Sequence, residues 1–304
     1  MIRYDIDRDT LETKITEISK NWLRTARKKT LELRKRKIFT EDGNYWSNIK
    51  DAYRILQYDK CAYCEIKLEG GPEGSIEHDV EHFRPKSSVR EWPTEKMRAE
   101  KKSRTSYSFS TGGNSKNGYY LLAFHIFNYA TACKVCNTIF KSNFFPIAGS
   151  RKIHLDDPAK LSSEQPYLIY PLGDLDDDPE SLITFKGIIP VPKLKSGPKY
   201  KRARLTIDFF NLDTREKLLE GRASKIQSMW IAFEALKNST NAATLRRIET
   251  ALNNARSAYS PHSSCSKAFY QLCESDFKEA TKFYDAANDY LMSKTDTFDR
   301  LKML

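Results

Sequence analysis

Two Cys-x-x-Cys pairs, Cys61-Ala-Tyr-Cys64 and Cys133-Lys-Val-Cys136, constrain this chain more than any other feature. The spacing lets both thiolates of a pair meet one ion at ~2.3 Å, and two pairs complete a tetrahedral site. The 68 residues between the pairs exceed the ~15–20 of a compact zinc ribbon. The expected zinc is therefore a staple at the base of an inserted substructure. Such a closed site is structural, with no coordination position left for chemistry. A thiol–disulfide role is the rival for a lone Cys-x-x-Cys, but two pairs favour zinc. The remaining Cys265 and Cys273 have no knuckle spacing and read as buried free thiols. Six cysteines in 304 residues are too few for a disulfide scaffold, so a reducing cytoplasm is the expected compartment.

Charge supplies the second constraint. Lysine and arginine number 51 against 40 acids, a formal net charge of +11. Most of the excess falls between Lys20 and Lys37, where nine basic side chains face one acid, Glu32. The run reads as a helix, with fraying expected near Thr30. It is either a solvated face or a surface that tracks phosphates and releases their counterions. Further basic stretches run from Arg84 to Arg104 and from Lys193 to Arg204. Glu164 to Glu180 is acidic instead. Its aspartates lack the central glycine of a calcium loop, so it reads as a solvated loop. Hydrophobic residues make up 39% and aromatics 12%, too much core material for a disordered chain. No run approaches the ~18 apolar residues of a membrane span, and the charged start MIRYDIDRDT is not a secretory signal.

Periodicity gives an α+β chain dominated by helices. Residues 1–45 form a basic helical segment, 46–150 a cysteine-framed core, and 151–304 a mostly helical C-terminal region. Residues 46–58 return to a helical rhythm after a turn at 41–44, and 103–118 read as a polar loop. Residues 167–171 and 182–191 have strand composition, with Pro190 marking an edge or an end. The chain turns helical again from Arg204. A helix capped by Asn211 or Asp213 runs to about Lys237, followed by helices over 241–258 and 266–292.

Between the knuckles lies Glu77-His78-Asp-Val-Glu81-His82-Phe-Arg84-Pro-Lys86. After it come Asn128-x4-Cys133-x-x-Cys136-Asn137, Lys141 and Phe145-Pro146. This series resembles the HNH endonucleases of the ββα-metal fold. Within them it is most similar to the PtuB-like nuclease subunit of Septu-type and retron-associated anti-phage systems. The strong part covers residues 61–146. Looser likeness follows at Asp177-Asp-Pro-Glu180 and through Asn211, Arg215 and Arg222.

The resemblance implies a role for each matching residue. His82 is the general base on water, and a neutral imidazole suits that task. Glu81 is a metal ligand, although aspartate is commoner at this position. Neighbouring strand residues point to opposite faces, so a bulge or turn is expected to let Glu81 and His82 reach one site. Asn128 ties the motif together and orients the base. Asn137 offers an oxygen to Mg2+ or Mn2+. Lys141 shares its helix face and is expected to reach a phosphate. Arg84 and Lys86 are expected phosphate contacts, unless they lie over the core. An alternative register would use the earlier pair Glu77-His78; the Phe-Arg-Pro-Lys that follows His82 argues against it. Outside the motif, His125 reads as packing or strand support, and His154 and His262 as surface or helix-start residues.

The implied activity is hydrolysis of phosphodiester bonds in DNA, foreign phage DNA above all, in a bacterial cytoplasm. The implied partner is a PtuA-like ABC/SMC-type ATPase. Cleavage of RNA such as tRNA, or non-catalytic nucleic-acid binding by a zinc-stabilised module, are the alternatives.

Overall fold

The computed structural model describes residues 1–40, 43–100 and 106–302. Glu41 and Asp42 of the expected turn, residues 103–105 of the polar loop, and Lys101, Lys102 and Arg104 of the second basic stretch lie outside them.

The chain is α+β and helix-dominated. Helix α1 (Arg8–Ile18) is capped by Asp7, whose carboxylate accepts from Thr10 N at 2.7 Å. The basic run forms α2 (Trp22–Arg36) and does not fray at Thr30, whose hydroxyl donates to Ala26 O. Arg34, Lys35 and Arg36 occupy its last turn, where cations suit the carbonyl end of a helix. Its apolar stripe, Trp22, Ala26 and Leu33, is buried. Trp22 stacks on Tyr45 at 5.6 Å and donates its indole N–H to Tyr45 O.

Helix α3 (Lys50–Leu56) precedes the first knuckle, and α4 (Gly71–Glu77) leads into β1 (His78–His82). After α5 (Glu95–Ala99) the chain returns as β2 (Tyr129–Cys133), antiparallel to β1, then enters a π-helical segment, Val135–Lys141. The pairing runs from His78 opposite Cys133 to His82 opposite Tyr129. The free side of β2 is partly satisfied by a side chain. Gln57 accepts from Thr131 N and donates to Thr131 O, which also takes Ala62 N–H from the first knuckle.

Residues 167–171 do not form the expected strand. Their backbone groups bond elsewhere: Tyr167 N to Pro146 O, Tyr170 N to Asp176, and Leu168 O from Arg202. The second stretch folds back on itself. After α6 (Pro179–Leu182), β3 (Ile183–Lys186) and β4 (Ile189–Pro192) make a hairpin whose turn holds Gly187 at φ 56°. The acidic segment is not simply solvated. Asp176 and Asp177 both take Arg202 of α7 (Gly197–Phe209), and Asp178 caps α6. The acidic and the third basic stretch thus neutralise one another.

Helix α7 begins at Gly197, earlier than expected. Helix α8 (Glu216–Asn238) is preceded by Arg215 rather than a side-chain cap from Asn211 or Asp213. Helices α9 (Ala242–Arg256), α10 (Ser263–Ser275) and α11 (Phe277–Lys302) follow. The single helix expected over 266–292 is broken at Asp276, whose carboxylate accepts from Glu279 N and so caps α11.

Two apolar clusters result. The larger gathers buried side chains from Met1 to Leu218, and the smaller lies among α8 to α11. Arg222 sits near their junction, almost fully buried. It donates to Leu212 O and Ile188 O and lies 5.2 Å from the Phe185 ring centroid. Among the described residues, no helix is long and apolar enough to cross a membrane.

Candidate active site

The four knuckle cysteines converge. Their sulfurs lie within 4.8 Å of one another and all four residues are buried. Cys64 and Cys133 Sγ are 3.8 Å apart, close to the spacing of two sulfurs bound ~2.3 Å from one tetrahedral ion. The donor set and its closure fit a structural zinc. Among the described residues this is the sole group of three or more His, Cys, Asp or Glu ligand atoms near enough to share an ion.

Arg215, just before α8, places Nη1 3.2 Å from Cys136 Sγ. Burial opposes the guanidinium charge, but the cysteine sulfurs outweigh it and hold Arg215 firmly protonated. Four thiolates around a zinc would leave net negative charge, and Arg215 would offset part of it. No local pattern in the sequence marks this contact. Its only signal was that Arg215 belongs to the downstream part of the resemblance.

The knuckles join the turn after α3 to the end of β2 and the π-helical segment, and the ladder holds β2 to β1. A cleft of about 340 Å3 opens beside β1, lined among others by Trp46, Glu81, His82, Lys86, Asn137 and Asn143. Glu81, His82 and Asn137 therefore share one space, with no bulge in the ladder. Four consecutive residues, Asp79 to His82, line the cleft. It runs along the strand rather than over one face, so alternation excludes neither neighbour.

His82 is held on every side. Its Nε2 lies 3.1 Å from Ala123 O, a pure acceptor, so Nε2 carries the proton and Nδ1 keeps a lone pair. Tyr129 OH donates to the same carbonyl. The imidazole stands edge-on to Trp46 (4.8 Å, 84°) and to Tyr129 (4.9 Å, 89°). Burial, then the charges of Lys86 and Lys141, push its pKa well below the usual histidine value, so it is neutral at pH 7. Trp46 and Tyr129 were not among the expected site residues. Trp46 read only as part of a helical rhythm.

Asn128 is fully buried and makes a two-way link. Its Oδ1 accepts from Arg84 N at 2.8 Å, and its Nδ2 donates to Arg84 O and Leu122 O. It fixes the chain two residues beyond His82, away from the cleft surface.

Two expected phosphate contacts are placed otherwise. Lys141 is fully buried, 3.0 Å from Glu81 Oε1 and 3.3 Å from His82 O, so as placed it cannot meet a phosphate. Arg84 is also buried. It pairs with Glu164 at 3.0 Å and lies over the rings of Phe83, Tyr119 and Phe145. A guanidinium and an ammonium this deep are stable only with partners, and both have them. Lys86 lies at the cleft, 4.4 Å from the Trp46 ring centroid and 5.2 Å from Phe39.

Glu81 is nearly fully buried, and burial raises its pKa to about 7 despite Lys141. Its Oε1 lies close to Lys141 but takes no well-directed hydrogen bond. Glu81 and the half-exposed Asn137 both bring side-chain oxygens, the donor type of hard divalent cations, to the cleft. His78 lies outside this cleft, with Nε2 3.0 Å from Glu69 O.

The other histidines divide. His125 accepts Phe127 N–H and supports the turn before β2, and His154 meets Tyr120 OH at the surface. His262 starts α10, as expected, but is buried rather than on the surface. Cys265 and Cys273 are buried free thiols. No family model, no curated protein and no solved structure matches this chain.

Proposed function

We propose that this protein is a metal-dependent HNH endonuclease that hydrolyses phosphodiester bonds of DNA. The observation that carries the reading is the imidazole of His82. It is neutral, locked in one tautomer, and shares a cleft with Glu81 and Asn137. A base for water needs this state: an open lone pair on Nδ1 and a ring that cannot turn away. The proton taken from water rests on Nδ1, while Nε2–H stays on Ala123 O. Tyr129 and Trp46 hold the ring through the step.

Glu81 and Asn137 would hold the divalent cation, which supplies charge to the scissile phosphate and its leaving oxygen. Lys141, 3.0 Å from Glu81 Oε1, would keep that carboxylate in place and leave its other oxygen for the cation. Lys86 at the cleft and the exposed cations of α2 offer positive charge to the backbone of a duplex. The α2 helix leads to Phe39 and Trp46, the aromatic pair beneath Lys86, so the basic helix and the cleft wall are continuous in the chain. We further propose that the nuclease is an effector of an anti-phage defence complex with a PtuA-like ABC/SMC-type ATPase, a reading that rests on the motif resemblance alone.

The test is cleavage of supercoiled plasmid and of tRNA by the purified chain, with and without the ATPase, in Mg2+ or Mn2+ and in EDTA. Plasmid is expected to be nicked or cut only with the metal. Cleavage of tRNA with plasmid spared would move the substrate to RNA. Salt-sensitive binding of both, without scission under any condition, would reduce the protein to a zinc-stapled binding module.

A further inference from the structure

We infer that the protein carries a second ligand site, a pocket for a nucleoside phosphate beside the end of β1. The inference does not depend on the nuclease reading. The cavity holds about 420 Å3, within the ~300–1,000 Å3 of small-ligand sites. It shares no lining residue with the His82 cleft. Phe83 and Arg84, the two residues after His82, line it.

Its walls suit a flat ring. Phe83, Phe127, Tyr167 and Tyr170 contribute aromatic surface, with Phe83 and Tyr170 in contact at 5.0 Å. Pro158, Pro166 and Pro198, from three separate segments, stiffen the enclosure. A cavity with aromatic walls favours a planar guest with little internal freedom to lose. Ser162 and Gln165 are exposed lining residues, and both can donate and accept. They can therefore read the edge of a heterocycle, which a purely hydrocarbon ring would waste.

Among the described residues, the charge leaves one cation, Lys201, for an anionic group. Arg84, Lys201 and Arg202 line the cavity against one acid, Asp176. Glu164 neutralises Arg84, and Asp176 with Asp177 engages both terminal nitrogens of Arg202. Arg202 Nε–H is left buried with no hydrogen-bond partner. Lys201 adds an ammonium one residue away. Pro198 in the first turn of α7 also lines the cavity, and that helix has no side-chain cap from Ser196. A planar heteroaromatic ring joined to a phosphate satisfies both halves.

The experiment is isothermal titration calorimetry of the full zinc-loaded chain, without divalent cation, with the four nucleoside 5′-monophosphates. Adenosine and inorganic phosphate serve as the two separate halves. At least one monophosphate is expected to bind about tenfold or more tighter than either half. Ser162→Trp, which fills the mouth from an exposed position, is expected to abolish binding. Lys201→Glu is expected to weaken the monophosphate about tenfold and leave adenosine unchanged. Circular dichroism confirms that both variants fold. No heat with any monophosphate at millimolar concentration overturns the inference. So does binding that both variants leave intact, or binding lost only in Lys86→Glu, which would place the ligand in the His82 cleft.

Discussion

Glu81 and Lys141 are buried together, 3.0 Å apart, at the back of the cleft. Removing one partner of a buried pair strands the other charge, at a cost of about 3–5 kcal/mol. Lys141→Met is expected to lower the unfolding free energy by that order in urea titrations, and adding Glu81→Gln is expected to recover part of it. Strictly additive losses would show that the two do not act as a pair. The pH dependence has a definite sign. The folded pKa of Glu81, about 7, lies above its usual value of 4.5, so folding favours the protonated form. Its contribution is complete below about pH 4.5 and lost as pH rises through 7. Relative to Glu81→Gln, the parent should therefore lose stability between those limits.

At this scale the sequence was informative about which residues meet and poor about how deep they lie. The resemblance implied that Glu81, His82 and Asn137 share a site, and all three line one cleft. It could not show that Lys141 turns inward, because helical spacing gives a face and not a depth. Nor could it name Trp46, Tyr129 or the Ala123 carbonyl. These clamp His82 through tertiary packing that leaves no local pattern.

Among elements, α8 shows why a glycine sits mid-helix. Gly221 to Ala would ordinarily gain up to about 1 kcal/mol of helix stability. Here a Cβ at 221 would stand 2.5 Å from His262 Nε2, at the buried start of α10. Gly221→Ala is expected to destabilise the chain and lower its melting temperature, and a rise would show that His262 moves aside freely. The helices themselves were legible from apolar periodicity, and Asn241, where one was expected to start, caps α9. Breaks were harder. Asp276 ends α10 and caps α11, yet apolar positions continue on both sides and hide the interruption. Residues 167–171 have strand composition, but a strand needs a partner, and here side chains from Asp176 and Arg202 take the backbone groups.

The molecule is organised around the cysteine staple. The cluster joins the turn after α3 to the end of β2, and Arg215 extends it to the start of α8. Zinc binding to such a site is folding free energy, so its loss spreads. One zinc per chain is expected by elemental analysis. Chelation, or Cys133→Ser, is expected to lower the melting temperature by more than 10 °C; an unchanged melting curve would mean the sulfurs hold nothing.

The central claim is that His82 in this cleft is the base for phosphodiester hydrolysis. It is tested most directly by Mn2+-dependent plasmid cleavage by His82→Ala beside the parent, with zinc content and circular dichroism matched. General-base loss lowers rates by about 10²–10⁴-fold, and a drop of that size is the expected result. Cleavage by His82→Ala at the parental rate would contradict the account.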